Sequence, residues 1–218
     1  MSEVFRSYVN SVRREFADQP LNMEAVNEDP YAFFEKWFDE AVGSEVLDPN
    51  AMTLATVNAK GMPGSCVVYM RDISDEGLVF YTNYNSRKGK DLEANSNVSV
   101  NFFWVELDRQ IRFNGVAEKA SEFFSDKYFA QRPRPSQISS WASDQSKVIP
   151  DREHLKAQFE FFEKKFKNKE VPRPPYWGGY LIKPNNIEFW QGRPNRLHDR
   201  IVFYKTSEGL WFKKRLAP

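Results

Sequence analysis

Hydrophobic positions along this chain change period twice. Val4, Tyr8, Val12 and Phe16 recur at helical spacing, which predicts an amphipathic helix over Val4 to Phe16 with the basic pair Arg13-Arg14 near its end. The stretch from Ala17 to Glu28 is polar and predicts irregular chain. Asp29-Pro30 supplies an N-cap and a first-turn proline. In the helix that follows, Phe33, Phe34, Trp37, Phe38 and Ala41 form one broad apolar face.

From Ala51 the period falls to two. Strands are expected at Met52 to Val57, Cys66 to Met70 and Leu78 to Thr82, divided by the turns Asn58-Ala59-Lys60-Gly61 and Ser74-Asp75-Glu76-Gly77. Connections this short mean antiparallel hairpins. Ser86 to Ala94 predicts a short capped helix, and Val98 to Val105 with Gln110 to Val116 another hairpin. A helical block follows at Ser121 to Gln131, Pro135 to Trp141 and Asp151 to Phe166. The last fifth returns to strands at Tyr180 to Lys183, Ile187 to Trp190, Ile201 to Tyr204 and Leu210 to Lys214. No repeat or low-complexity linker interrupts this order. It predicts an α+β fold, an antiparallel barrel, closed or partly closed, with peripheral helices.

Composition narrows the function. The 218 residues suffice for one well-buried domain, or a domain with a small appendage. A formal charge of +1 argues against a global nucleic-acid or membrane-surface footprint. No apolar run approaches a membrane span, and Met1 to Asn10 lacks a secretory pattern, so the expected location is the cytoplasm. Cys66 is the single cysteine, which excludes an intrachain disulfide. There is no Cys/His spacing for a metal, no Walker loop and no nucleophile elbow. The 19 phenylalanines exceed the needs of a core and also fit a site for flat rings.

Four segments carry candidate chemistry. In Phe189-Trp190-Gln191-Gly192-Arg193-Pro194-Asn195-Arg196-Leu197-His198-Asp199-Arg200, a Gly/Pro-broken loop puts forked cations beside an indole, which suits a phosphorylated aromatic ligand. His198 there is either a general acid–base or a structural histidine. In Tyr81-Thr82-Asn83-Tyr84-Asn85-Ser86-Arg87-Lys88, a strand runs into a Ser-capped helix start. That is a phosphate cradle, or merely a capped helix with a solvated basic turn. Basic residues at that end oppose the helix dipole, which favours a bound anion. Tyr128 and Arg132 share a helix face and Ser136 opens the next helix, forming either a second phosphate site or a Pro-rich joint with surface arginines. Ser143-Asp144-Gln145-Ser146 offers amide and hydroxyl donors, or is an ordinary loop.

Taken in this order, the chain resembles the pyridoxine/pyridoxamine 5′-phosphate oxidase family from about Arg13 to Pro218. The resemblance is carried by Phe80-Tyr81-Thr82-Asn83 with Ser86-Arg87-Lys88, by Tyr128 with Arg132-Pro133 and Ser136-Gln137-Ile138, by Trp177-Gly178-Gly179-Tyr180, and by Glu188 to Gly192 with Asn195 to Arg200. It implies an FMN-binding split β-barrel of Greek-key type that works as a homodimer, with flavin at the subunit interface. Residues 1–28 would be an N-terminal helix and mobile cover containing Arg13, and 29–218 a single domain. FMN would be held by Cys66, Val67, Arg71, Tyr81, Thr82, Ser86, Arg87, Lys88 and Gln110. Gln145, Ser146, Trp190 and Arg200 would complete the flavin site from the partner chain. The substrate would meet Arg13, Arg71, Tyr128, Arg132 and Ser136, with Arg196 and His198 over its ring as the catalytic pair. The implied reaction oxidises pyridoxamine or pyridoxine 5′-phosphate to pyridoxal 5′-phosphate and reduces O2 to H2O2. Another flavin reductase of the same barrel, or a non-catalytic flavin or pyridoxal phosphate carrier, are the alternatives.

Three departures from the family pattern stand out. Cys66 occupies the place of an arginine, Arg71 that of a lysine, and Phe16 that of a common tyrosine. One lost charge-assisted contact to an anion is worth about 1.5–3 kcal/mol, so weaker flavin binding is expected from Cys66.

Overall fold

The computed structural model describes residues 2–218. Strand order is β2 (Pro63–Tyr69), β1 (Ala51–Val57), β5 (Asn97–Trp104), β6 (Arg109–Lys119), β7 (Trp177–Gln191), β4 (Gly77–Asn83) and β3 (Asp72–Ser74), with β8 (Asp199–Lys205) on β7 and β9 (Trp211–Leu216) on β8. The chain packs as two compact units. One comprises Asp48–Phe102 and Arg112–Ile187; the other comprises Met1–Leu47, Phe103–Ile111 and Glu188–Pro218.

In the first of these, β1 (Ala51–Val57) pairs antiparallel with β2 (Pro63–Tyr69), with Thr56 opposite Gly64. The predicted turn between them forms because Asn58 Oδ1 accepts from the Lys60 and Met62 N–H groups and Gly61 takes a φ of 77°. β3 (Asp72–Ser74) and β4 (Gly77–Asn83) make the second hairpin. α3 (Arg87–Ala94) is capped by Ser86, whose hydroxyl accepts from Gly89 N. β5 (Asn97–Trp104) and β6 (Arg109–Lys119) follow, then the helices α4 (Glu122–Gln131), α5 (Arg134–Ala142) and α6 (Arg152–Lys165). Leu54, Leu78, Phe80, Phe102, Phe113, Ile182 and Ile187 are fully buried. The helices build a second apolar cluster around Phe129, Ile138, Phe166, Val171 and Trp177.

β7 (Trp177–Gln191) corrects the expected pair of short strands, because it runs unbroken through Pro184-Asn185-Asn186. Proline removes a ladder donor, so a central strand tolerates it only where the neighbour gives way. Gly115 does so: a Cβ there would collide with the Lys183 carbonyl and with Pro184. Asn114 adds a bond from Nδ2 to Asn186 Oδ1 at 2.7 Å.

In the other unit, α1 (Glu3–Ser11) is shorter than the predicted Val4 to Phe16 helix and buries none of its residues. The chain is extended from Val12 because tertiary contacts take over: Arg14 pairs with Asp108, and Ala17 N–H donates to Asp108 Oδ2. α2 (Pro30–Gly43) begins at the predicted cap, where Asp29 accepts from Tyr31 N. Its apolar face sets Phe33 and Trp37 against Phe189, with ring centroids 4.7 and 5.4 Å away. Arg109 lies 4.3 Å over the Trp37 ring and bonds Glu40 and Gln191. β8 (Asp199–Lys205) and β9 (Trp211–Leu216) close this unit as a hairpin.

Phe189 is fully buried among Phe33, Trp37 and Phe203. Phe189→Ala is expected to cost about 3–5 kcal/mol of folding stability. Urea denaturation measures this, and a loss under about 1 kcal/mol would contradict the packing described.

Candidate functional site

The end of β4, the first turn of α3, the end of α4 and the start of α5 converge on a cavity of about 660 Å3. Val67, Arg71, Tyr81, Thr82, Lys88, Tyr128, Arg132, Ser136 and Gln145 line it, so nine of the residues expected from sequence meet in one place. Trp177 and Gln131 also line it and were missed; the Gly178-Gly179 pair after Trp177 was the available signal for a close approach of backbone. Three cations and no carboxylate belong to this lining.

Each cation is set by a different contact. Lys88 Nζ donates to Thr82 Oγ1 at 3.4 Å. The Arg71 guanidinium sits 5.0 Å over the Tyr69 ring. Arg132 donates from Nη1 to Ser140 Oγ at 2.6 Å and lies 4.6 Å over Trp177. Burial lowers the pKa of Arg132, with Tyr128 opposing and Arg71 reinforcing the shift. Tyr81, Tyr128 and Trp177 stack in parallel, with Tyr81 and Tyr128 centroids 3.9 Å apart and planes 10° apart. Burial, then Asp72, raises the Tyr81 pKa, so its phenol stays a hydrogen-bond donor.

A smaller cavity of about 140 Å3 adjoins through shared Lys88 and is lined by Thr56, Gly64, Ser65, Cys66, Arg87, Asp91 and Ser146. The Asp91 carboxylate is taken up by the Thr56 hydroxyl at 2.8 Å. Ser86 is fully buried and its hydroxyl accepts from Gly89 N–H, which fixes the start of α3. Gln145 lines the larger cavity and Ser146 the smaller one. Ser146 holds a left-handed φ of 71°. Hydroxyls and two cations at a capped helix start, next to a larger cavity of stacked rings, fit a phosphate joined to a flat ring system.

The remaining predicted residues lie in the other unit. Phe16 packs edge-on against Trp190 and His198 at 5.7 and 5.0 Å, and Trp190 and His198 are 4.6 Å apart. His198 Nδ1 accepts from Arg193 N–H at 3.1 Å, so the neutral ring carries its proton on Nε2. Burial, then Arg196, lowers the His198 pKa. Arg193 is held by Asp18 and Asp199, and Asp199 also accepts from Leu21 N and Arg215. Arg200 donates to Glu188 at 2.8 Å and to the Ala217 carbonyl at 2.9 Å. The Glu188 bond raises the Arg200 pKa. Arg196 is exposed, with a left-handed φ of 61°. Arg13 is exposed and donates to its neighbour's carbonyl, Val12 O, and Gln110 is half-buried in β6. Sequence missed the clamps Asp18, Asp108, Glu188 and Asp199, since isolated acids carry no spacing signal.

Fold and cavity together define a class: an antiparallel α+β protein built to hold a phosphorylated, flat-ringed ligand. The comparisons make this specific. Residues 38–165 match the family model described as pyridoxamine 5′-phosphate oxidase, and 177–218 that of the pyridoxine 5′-phosphate oxidase C-terminal dimerisation region. A pyridoxine/pyridoxamine 5′-phosphate oxidase of Leptospira interrogans is 50% identical over 210 residues, 96% of this chain and 98% of that one. The crystal structure of PhzG from Burkholderia lata 383, in complex with tetrahydrophenazine-1-carboxylic acid, superposes with a TM-score of 0.86 at 30% identity, covering 92% of this chain and 99% of that one. A pyridoxamine 5′-phosphate oxidase-related, FMN-binding protein of Nostoc punctiforme shares the fold, with a TM-score of 0.69 at 14% identity over 87% of this chain and 98% of that one. The chain belongs to the pyridoxamine 5′-phosphate oxidase family. Among the described residues, no helix is long and apolar enough to cross a membrane.

The depressed pKa of His198 has a direction that can be checked. A histidine whose folded pKa lies below its unfolded value lowers stability as pH falls through the unfolded value of about 6.5, levelling off below the folded pKa. NMR titration of the ring, with His154→Gln to assign the signal, should give a midpoint below about 6.5 and an unprotonated Nδ1. A midpoint at or above that value would contradict the half-buried, bonded ring.

Proposed function

We propose that the paired cavities bind FMN and a pyridoxine or pyridoxamine 5′-phosphate together, and that the chain oxidises the second to pyridoxal 5′-phosphate. The observation that carries this reading is the lining of the larger cavity, with three cations and no carboxylate beside stacked aromatic rings. FMN, when bound, would supply the two-electron chemistry, hydride acceptance from the substrate's 4′ carbon and reoxidation by O2 to H2O2, with water releasing ammonia where the substrate is the amine.

The chain's own residues bind and orient. Arg87, Lys88, Cys66 and Ser146 surround the small cavity, where the flavin phosphate belongs. Tyr128, Arg132 and Ser136 receive the substrate phosphate, with Arg71 adding charge. A phosphate held at one end fixes the ring at the other, so binding energy becomes orientation. The active assembly is a homodimer with flavin at the interface, and Trp190, Arg196, His198 and Arg200 act on it from the partner subunit. There His198 offers an Nε2–H hydrogen bond, and Arg196 stabilises negative charge developing on the substrate. The compartment is the cytoplasm, in keeping with a free Cys66 and a fold held by no disulfide. A flavin-reductase reading leaves Tyr128, Arg132 and Ser136 without a purpose.

Purified protein should absorb as a flavoprotein and release peroxide with pyridoxamine 5′-phosphate. Protein that cannot be reconstituted with FMN would overturn the reading. Arg132→Ala should raise KM for pyridoxine 5′-phosphate about ten- to hundredfold, the worth of one charge-assisted contact, while FMN content stays unchanged. Steady-state kinetics and flavin absorbance decide it, and an unaltered KM would move the substrate phosphate elsewhere.

A further inference from the structure

The small cavity contains a compensation that neither the family match nor the motifs assign. Cys66 presents a thiol there, which cannot supply the forked donors an oxyanion prefers. Two residues earlier in β2, Gly64 has no side chain, and the Arg87 guanidinium lies directly over it. A Cβ built on Gly64 would come 2.9 Å from Arg87 Nη2 and 3.2 Å from Cζ. Gly64 needs no special backbone, since its φ lies outside the left-handed range. The bareness of this position therefore serves the neighbour and not the turn.

Arg87 itself has the character of a ligand waiting for an anion. It is the first residue of α3, where a cation opposes the helix dipole. Among the described residues it forms no ion pair. The one carboxylate in the cavity lining, Asp91, is buried and bonded to Thr56.

We infer that Gly64 is a positioning residue for the flavin phosphate: its missing side chain seats the Arg87 guanidinium against β2 beside Cys66, supplying the donors that Cys66 lacks. This rests on the FMN reading above. The atoms nearest the added Cβ are the tip of a flexible side chain and not backbone. A larger residue at 64 therefore displaces the guanidinium and leaves the sheet intact, and a β-branched one suits a strand position.

The test uses full-length apoprotein titrated with FMN and, separately, with riboflavin, which lacks the phosphate; flavin fluorescence reports binding and the apoprotein melting curve reports folding. Gly64→Val should weaken FMN binding about tenfold or more, the scale of one charge-assisted contact, with riboflavin affinity and melting temperature unchanged. Arg87→Ala should give the same phosphate-specific loss. The double variant should bind FMN no more weakly than the worse single variant, because both remove one contact. Gly64→Ala should lose FMN affinity in the same direction by less, which keeps the question open to measurement if Gly64→Val folds poorly. FMN affinity unchanged in Gly64→Val, equal losses of FMN and riboflavin, or additive losses in the double variant would each overturn the inference. Wild-type apoprotein that fails to bind FMN would remove the functional reading itself, a result distinct from any of these.

Discussion

The cavity depends on two residues that have no side chains. Gly178 and Gly179 open β7 at the point where β4 and α4 come against it. A Cβ on Gly178 would strike the Tyr84 hydroxyl, and one on Gly179 would press on Tyr81 and Ala120. The bare backbone is fully used: Gly179 N–H donates to Ser125 Oγ at 3.1 Å, and its carbonyl accepts from Ala120 N–H at 2.9 Å and from Tyr84 OH at 3.3 Å. Glycine in a strand costs conformational entropy and forfeits packing. Here that cost leaves Tyr81 room to lie parallel to both Tyr128 and Trp177, the ring over which Arg132 stands.

Charge is used differently at the clamped loop and at the cavity. In the unit containing the termini, the cations that hold the N-terminal strap and the 192–200 loop have carboxylate partners: Arg14 with Asp108, Arg193 with Asp18 and Asp199, Arg200 with Glu188, Arg215 with Asp199. Such pairs contribute little energy each when exposed, yet converging on Asp199 they fix one geometry. In the other unit, Arg71, Lys88 and Arg132 face a cavity with no carboxylate in its lining. Paired cations there would be structural; clustered unpaired ones repel, and an anion relieves them. The lowered pKa of Arg132 reports that repulsion together with burial.

Much of this was legible where the signal is local. Asn58 to Gly61, Asp29-Pro30 and Ser86 each form the turn or cap their residue types require, because a side chain bonding its own neighbouring backbone needs nothing from afar. The i, i+4 spacing of Tyr128 and Arg132 also put both on the cavity. What escaped was set by distant partners. β7 continues through Pro184 because Gly115, on another strand, yields space. α1 stops at Ser11 although its pattern runs to Phe16, because Asp108 claims Arg14 and Ala17, and Trp190 with His198 claims Phe16.

His198 illustrates how backbone decides a chemical role. Its ring could be an acid, a base or a hydrogen-bond donor, and the sequence around it allows all three. The Arg193 N–H occupies Nδ1 and burial keeps the ring neutral, so the nitrogen left over already carries its proton. To accept a proton, the ring would have to charge in a partly buried site beside Arg196, or give up the Arg193 bond and orphan a backbone donor. Both options oppose the fold. Arg196, two residues earlier, is held at a left-handed φ that costs a non-glycine residue about 1–3 kcal/mol. A loop that disfavours charge on its histidine and holds its arginine at a left-handed φ presents one neutral Nε2–H donor and one fixed cation side by side.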